Sequence, residues 1–261
     1  MPGRYIIPTM SRYRFLAFAA TVLPTLASAQ LVEDYNPPRA NCCLASTAQT
    51  LANQLQDWNQ LGRYHADNEK LKAQPADPGR VVFMGDSITD GWKLAQYFPG
   101  KSYVNRGISG QTTPQMLVRM FEDVINLKPA AVVIYAGTND VARNTGPSTI
   151  EMVEENFQAM SELAIGHGIK VILCSITPVS DYGPRKMTDG RPPADILKLN
   201  SWLKAYAEKV HAVYCNYFAA VVDDKGMLKE GISRDGLHPN DKGYELMAPV
   251  AAAAIQQALG N

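Results

Sequence analysis

The sequence predicts an α/β fold built on a parallel sheet of five strands with helices on both faces. Short apolar runs alternate along the chain with segments whose apolar residues recur at helical spacing, a pattern typical of such sheets. Two runs, 131–136 and 169–176, are almost continuously apolar, as expected of central strands covered on both faces. The predicted strands are 81–84, 102–105, 131–136, 169–176 and 213–218.

The first 29 residues differ from the rest and predict a secretory signal peptide. Three arginines (Arg4, Arg12 and Arg14) precede an apolar run over 15–26, and the small residues 27–29 close the segment. The run is shorter than the about 20 residues that a membrane-spanning helix needs, and an uncleaved anchor helix is the alternative. We therefore predict cleavage after Ala29 and a secreted or periplasmic protein, whether translation starts at Met1 or Met10.

The charge balance argues against nucleic acid as a partner. The chain has 25 basic and 25 acidic residues, and loss of the three arginines leaves 22 against 25, a net charge of −3. A slightly acidic protein has no electrostatic footprint for nucleic acid or for anionic membranes. The sequence does not predict the oligomeric state.

The mature chain is predicted to have two segments before its main domain. Residues 30–50 are interpreted as a linker, and 51–78 as a helical extension that prolines 75 and 78 end. The domain follows over 79–261. Apolar residues at helical spacing support one continuous helix in the extension: Leu51, Leu55, Trp58, Leu61, Tyr64 and Leu71.

Helix start signals follow several of the strands. Thr113 is predicted as an N-cap with proline in the first helical position, and Ser148 with Glu151 matches a capping box. Helical stripes also cover 196–210 and 244–259, the second with a kink expected at Pro249. These helices are expected to cover the two faces of the sheet.

The four cysteines lack the C-x-x-C spacing typical of zinc sites. Cys174 and Cys215 each fall in a predicted strand and are interpreted as buried free thiols. Cys42 and Cys43 are adjacent in the linker, where export would permit a disulfide, and their pairing stays open.

Four short motifs combine residues suited to chemistry. Residues 85–89 (GDSIT), 106–107 (RG) and 137–140 (GTND) follow the first three strands, and 235–239 (DGLHP) precedes the last helix. The carboxyl ends of parallel strands meet at one edge of a sheet, where binding sites form. The first three motifs are therefore expected to lie close together.

These residue types suit acyl transfer. The Ser87 hydroxyl is a nucleophile once a base removes its proton, and His238 is the candidate base. Asp235, three residues earlier, is the candidate carboxylate that orients the imidazole. Candidate donors to an oxyanion are the backbone N–H groups of Ser87 and Gly107 and the side-chain amide of Asn139.

Together, in this order and spacing, the four motifs resemble those of the SGNH (GDSL-like) hydrolase family over about residues 80–258. The resemblance implies a flavodoxin-like three-layer α/β/α sandwich. It also implies a triad of Ser87, Asp235 and His238, an oxyanion hole of Ser87, Gly107 and Asn139, and no metal or cofactor. Ile88 replaces the family's leucine at a position that holds no catalytic atom.

Other polar residues receive structural interpretations. Asp86 and Asp140 are predicted to accept backbone N–H groups and so fix their loops, a metal or second-nucleophile role being the alternative. Three histidines lack an acidic or glycine-rich setting and are interpreted as surface or turn residues: His65, His167 and His211.

A long loop rich in proline and glycine, 177–195, follows the fourth strand and should reach over the same edge of the sheet. It is either a solvated surface loop or a wall of the substrate pocket. Its candidate pocket residues are Tyr182, Arg185, Lys186 and Arg191. Two aromatic residues after Ser87, Trp92 and Tyr97, are interpreted as core residues rather than as residues that line the pocket.

The sequence thus predicts a serine esterase that acts through an acyl-enzyme on short acyl esters, such as O-acetyl groups on carbohydrates. The alternatives are a lipase or lysophospholipase, which would need apolar surface around the site, and a binding module without catalysis. Acyl-length profiles separate the first two, and covalent labelling of Ser87 separates both from the third.

Overall fold

A computed structural model of the protein describes residues 51–260 except 54 and 76, and all of these belong to one compact unit. The predicted signal peptide, the linker over 30–50, Cys42 and Cys43 lie outside the described residues. Among the described helices, none has both the length and the apolar character that a membrane crossing requires.

The centre of the fold is a five-stranded parallel sheet with strand order β2-β1-β3-β4-β5, which confirms the predicted fold class. All residues of β1 and β3 are buried, so helices cover both faces of the central strands. At one edge the strand ends are in register, with Gly85 of β1 paired to Gly107 of β2 and Tyr135 of β3. The strands are β1 Val81–Gly85, β2 Tyr103–Gly107, β3 Ala131–Tyr135, β4 Lys170–Cys174 and β5 Val213–Cys215.

The helices pack around this sheet, with α10 against β3, β4 and β5, and with α7 and α8 against β4. Residues 51–53 and 55–56 are also helical, and Ile125–Leu127 form one 3₁₀ turn. The helices are α1 His65–Lys72, α2 Ser87–Asp90, α3 Leu94–Tyr97, α4 Thr113–Val118, α5 Met120–Asp123, α6 Thr138–Val141, α7 Ile150–Gly166, α8 Pro193–Lys209, α9 Tyr217–Val221 and α10 Asp241–Leu259.

The prediction of one continuous helix from Leu51 to Leu71 is wrong. The Asp57 carboxylate accepts the N–H groups of Leu61 and Gly62, each at 2.8 Å, and Gln60 adopts a positive φ of 57°. These features form a turn, because a side chain that binds nearby backbone N–H groups competes with the helix. The apolar spacing around this turn does not describe a core face, since the Leu55 side chain is 83% exposed.

Three predicted element ends are displaced for local reasons. Helix α4 is capped by Thr112, one residue earlier than predicted, through a capping box with Gln115. Thr149 rather than Ser148 caps α7, its hydroxyl accepting the Met152 N–H. The fifth strand ends at Cys215 instead of 218, because the Asn216 side chain accepts the Ala219 N–H and starts α9.

The two described cysteines are free and buried, as predicted. Cys174 and Cys215 are register partners on adjacent strands. Burial raises the pKa of the Cys174 thiol well above its ordinary value. Because both side chains are buried, both behave as small core residues rather than as reactive thiols.

Candidate active site

The fold brings Ser87, His238 and Asp235 into hydrogen-bond contact. Ser87 is the first residue of α2, two residues after the end of β1, and its Oγ lies 2.9 Å from Nε2 of His238. Nδ1 of His238 lies 2.6 Å from Oδ2 of Asp235. A hydroxyl and a carboxylate thus contact opposite nitrogens of one imidazole, although 151 positions separate the serine from the histidine.

The Asp235 carboxylate is held by its own loop. Its Oδ1 accepts the N–H of His238 at 2.8 Å, the N–H of Leu237 at 3.0 Å and the Ser233 hydroxyl at 3.1 Å. Partial burial raises its pKa, but the hydrogen bonds from the His238 ring and from these N–H groups hold it far below its usual range. The carboxylate therefore stays ionised at acidic pH values at which an ordinary aspartate is protonated.

Asp86 and Asp140 have the loop-fixing contacts that the sequence predicted. Asp86 caps α2, its Oδ1 accepting the Ile88 N–H at 2.9 Å. The Asp86 pKa is raised to about 7, chiefly because the carboxyl is completely buried and also because Asp140 carries a like charge nearby. The hydrogen bond from the Ile88 N–H opposes this shift. Asp140 accepts the N–H of Thr113 at 3.0 Å and its hydroxyl at 2.5 Å, which ties α6 to α4.

A cavity of about 680 Å³ opens over Ser87 and His238. Its walls come from the turn after β2, from α6 and the residues after it, and from the loop after β4. The other lining residues are Ser109, Gly110, Asn139, Ala142, Asn144, Arg185, Lys186, Met187, Gly190, Arg191 and Leu237. The loop 177–195 therefore forms a wall of this pocket, while Tyr182 is not among the lining residues.

The geometry contradicts the prediction of Gly107 as an oxyanion donor. Gly107 is buried, and its N–H donates to Oδ1 of Asn105 at 2.8 Å. A Cβ at Gly107 would lie 2.1 Å from the Asp90 nitrogen, so this glycine is required for close packing of β2 against α2. The glycine after β2 that lines the cavity is Gly110, three residues later, at a positive φ of 83°.

Three N–H donors remain at the cavity. Within the described part of the chain, the backbone N–H groups of Ser87 and Gly110 make no hydrogen bond. The Asn139 amide has one hydrogen on the Gln111 carbonyl at 3.0 Å, which leaves its second hydrogen available. Arg191 donates to the Asn139 carbonyl oxygen at 3.3 Å and so orients the amide.

Helix α2 and the turn after β2 are tied together by Asp90. Its Oδ2 accepts the Ser109 hydroxyl at 2.7 Å and the Ser109 N–H at 3.2 Å, while Arg63 binds Oδ1 at 2.9 Å. The Tyr64 hydroxyl donates to the Gly107 carbonyl. The extension before β1 thus supports the turn that carries Gly110. Sequence spacing gave no indication of these contacts, because they join segments far apart in the chain.

Gln111, at the end of this turn, is fixed by the buried ion pair of Arg119 and Asp123. Nε of Arg119 donates to Oε1 of Gln111 at 2.6 Å, and its Nη1 lies 2.8 Å from Asp123. Nη2 of Arg119 also donates to the Gly85 carbonyl at the end of β1. One fully buried guanidinium therefore connects the end of β1 with the turn after β2.

The remaining sequence candidates lie outside this cavity. Trp92 is only 3% exposed and stacks on Tyr244 with ring centroids 5.1 Å apart, which agrees with core packing. The hydroxyl of Tyr97 contacts the Asp241 carbonyl at 3.2 Å. The three other histidines, His65, His167 and His211, are all exposed and do not line the cavity.

One group of described residues has donor atoms suited to a metal ion: His65, Glu69 and Glu122, whose atoms lie within 4.8 Å of one another. The Lys72 ammonium already contacts Glu69 at 2.9 Å and Glu122 at 3.1 Å. The group shares no residue with the cavity at Ser87.

Comparisons with known proteins agree on one family. The sequence model of the GDSL-like lipase/acylhydrolase family matches residues 83–246. An acetylxylan esterase from Xylanibacter ruminicola is 29% identical, the match covering 71% of this chain but only 45% of that protein. Esterase TesA from Pseudomonas aeruginosa is 28% identical over 65% of this chain and 84% of its own.

A solved structure supports the same assignment. A GDSL-like lipase from Bacteroides thetaiotaomicron superposes with a TM-score of 0.69 and 40% identity, covering 77% of this chain and 98% of that one. The residues matched by the family's sequence model, 83–246, include all those that line the cavity.

Proposed function

The chain belongs to the GDSL-like lipase/acylhydrolase family, and from this premise we propose that it is a serine esterase with Ser87 as nucleophile. The observation that carries the proposal is the 2.9 Å contact between the Ser87 hydroxyl and His238, whose other ring nitrogen contacts Asp235. A hydroxyl gains nucleophilicity when an oriented base is within hydrogen-bond reach.

In the first half of the proposed reaction, Nε2 of His238 takes the hydroxyl proton while Oγ of Ser87 forms a bond to the ester carbonyl carbon. Asp235 stabilises the resulting imidazolium. The carbonyl oxygen becomes an oxyanion, which the N–H groups of Ser87, Gly110 and Asn139 stabilise. The bond to the alcohol then breaks, and His238 returns its proton to that alcohol.

In the second half, water replaces the alcohol. His238 takes a proton from the water, whose oxygen attacks the acyl carbon, and the same donors hold the second oxyanion. The bond to Ser87 breaks as the proton returns to Oγ, which releases the acid. No group outside this constellation is needed to balance either half.

Short acyl groups on carbohydrates are the substrates that the site favours. Eight of the thirteen lining residues have polar side chains, including Ser109, Asn144 and Arg185, and these suit a hydroxyl-rich alcohol better than a lipid tail. The similarity to an acetylxylan esterase supports the same choice. The predicted signal peptide would place the enzyme where extracellular polysaccharides are accessible.

We expect hydrolysis of p-nitrophenyl esters to be fastest at two to four acyl carbons, because few apolar side chains line the cavity to bind a longer chain. The measurement is kcat/KM across acyl lengths from acetate to laurate. Acetate release from acetylated xylo-oligosaccharides, measured in parallel with fatty-acid release from lysophospholipids, identifies the alcohol. An optimum at long chains, with lysophospholipids preferred, would refute the carbohydrate assignment in favour of a lipase.

A further inference from the structure

The wall of the cavity is strongly cationic. Its lining includes Arg185, Lys186 and Arg191 and contains no aspartate or glutamate. Asp189, in the same loop, does not line it. Three positive side chains from one seven-residue segment therefore face the place where the substrate binds, in a protein whose formal net charge is zero.

The three cations differ in how they are already engaged. Arg191 is half-buried, and it donates to the Thr138 hydroxyl at 3.2 Å and to Asn139. Burial lowers its pKa, the charges of Asp86 and Asp235 oppose that shift, and the positive charge of Arg185 adds to it. Arg191 is thus a cation that is held by hydrogen bonds and already has two acidic neighbours.

Arg185 has no such partner. Its side chain is exposed and forms no ion pair or hydrogen bond within the described residues. Lys186 has Asp181 nearby, but that carboxylate already accepts the hydroxyl and the N–H of Thr188 at 2.6 and 3.0 Å. In the part of the chain that the structure describes, Arg185 therefore has a positive neighbour in Arg191 and no counter-ion, and the one carboxylate near Lys186 is already hydrogen-bonded. Exposed cations in this arrangement at a cavity favour an anion beside them.

We propose that the natural substrate carries a carboxylate next to the cleaved ester, and that Arg185 and Lys186 bind this carboxylate. The inference rests on the proposed esterase function and specifies its substrate. Because the acyl group is short, we assign the charge to the alcohol, and we take that alcohol to be an O-acylated uronic acid. Arg185 is then a specificity-determining residue, and its planar guanidinium suits paired hydrogen bonds to a carboxylate.

The test compares two forms of one substrate: acetylated oligogalacturonides with free carboxylates, and the same oligosaccharides with those carboxylates methyl-esterified. Acetate release gives kcat/KM for each. We expect kcat/KM to be about tenfold higher on the acidic form than on the methyl-esterified form. In Arg185→Ala this ratio should fall about fivefold, which matches the free energy that one or two well-placed ion pairs contribute. Raising the ionic strength to about 0.5 M should also reduce the preference for the acidic form, since salt screens exposed charges.

Lys204→Ala is the matched control, because Lys204 is an exposed cation outside the cavity, and the preference should be unchanged in this variant. Equal rates on both forms, or a preference that survives Arg185→Ala combined with Lys186→Ala, would overturn the proposal. Faster hydrolysis of p-nitrophenyl succinate than of p-nitrophenyl butyrate would also overturn it, because the recognised carboxylate would then belong to the acyl group and not to the alcohol.

Failure of this inference is distinguishable from failure of the proposed function. An enzyme that hydrolyses p-nitrophenyl acetate through Ser87 but does not discriminate between the two oligogalacturonides is an esterase without acidic-sugar specificity. A protein that does not hydrolyse p-nitrophenyl acetate would refute both the proposed function and this inference.

Discussion

Ser87→Ala and His238→Ala should each lower kcat by about 10⁵- to 10⁶-fold on p-nitrophenyl acetate. The first removes the atom that forms the acyl-enzyme, and the second removes the base 2.9 Å away that activates it. Because the two act in one proton transfer, the double variant should be little worse than either single one. The measurement is kcat for the wild type, both single variants and the double variant.

Ser201→Ala and His167→Ala are suitable controls for these variants. Both residues are exposed helix or helix-end positions outside the cavity. Each side chain contacts a nearby backbone carbonyl, and the His167 ring also packs edge-on against Phe121. Their kcat should equal that of the wild type. Losses that multiply in the double variant would mean that Ser87 and His238 act independently, which is incompatible with a shared step.

Asp235→Asn should lower kcat by about 10⁴-fold while the fold is retained. The asparagine oxygen can still accept the backbone N–H groups of Leu237 and His238, so the loop keeps its shape. Its amide, however, donates toward Nδ1 of His238 and so favours the tautomer whose Nε2 carries a proton. A protonated Nε2 does not accept the serine proton.

The measurement for this variant is kcat together with the thermal unfolding midpoint. Asp224→Asn, an exposed carboxylate in a turn, is the matched control and should retain full activity. A normal kcat in Asp235→Asn would show that the contact between Asp235 and His238 plays no part in catalysis. Titration of Asp235 should not contribute to the pH dependence of the wild type, because its hydrogen bonds hold its pKa far below the usual range.

Strands and their ends were predictable because their causes are local. A central parallel strand must be apolar on both faces, and β1 and β3 carry that property in five consecutive residues each. The positions of Ser87 and Asn139 follow directly, since each comes within a few residues of such a strand. The loop before α10 was also identifiable, because Asp235 and His238 contact each other only three positions apart.

What the sequence did not predict depends on contacts between distant segments. Gly107 and Gly110 are both glycines after the second strand, and spacing alone does not separate them. The structure does, because Gly107 packs against the backbone of α2 while Gly110 lies exposed at the cavity. Likewise, apolar spacing predicted a helix where the structure has a turn at Asp57. The spacing gives no information about a carboxylate that accepts two backbone N–H groups.

The most direct test of the central claim is covalent labelling with a fluorophosphonate, followed by peptide mass spectrometry. A serine activated by an oriented imidazole should form one stoichiometric adduct, located on Ser87, with loss of p-nitrophenyl acetate hydrolysis in parallel. Ser87→Ala should take up no label. An unmodified Ser87 in an enzyme that remains active, or an adduct at another serine that abolishes activity, would contradict the account.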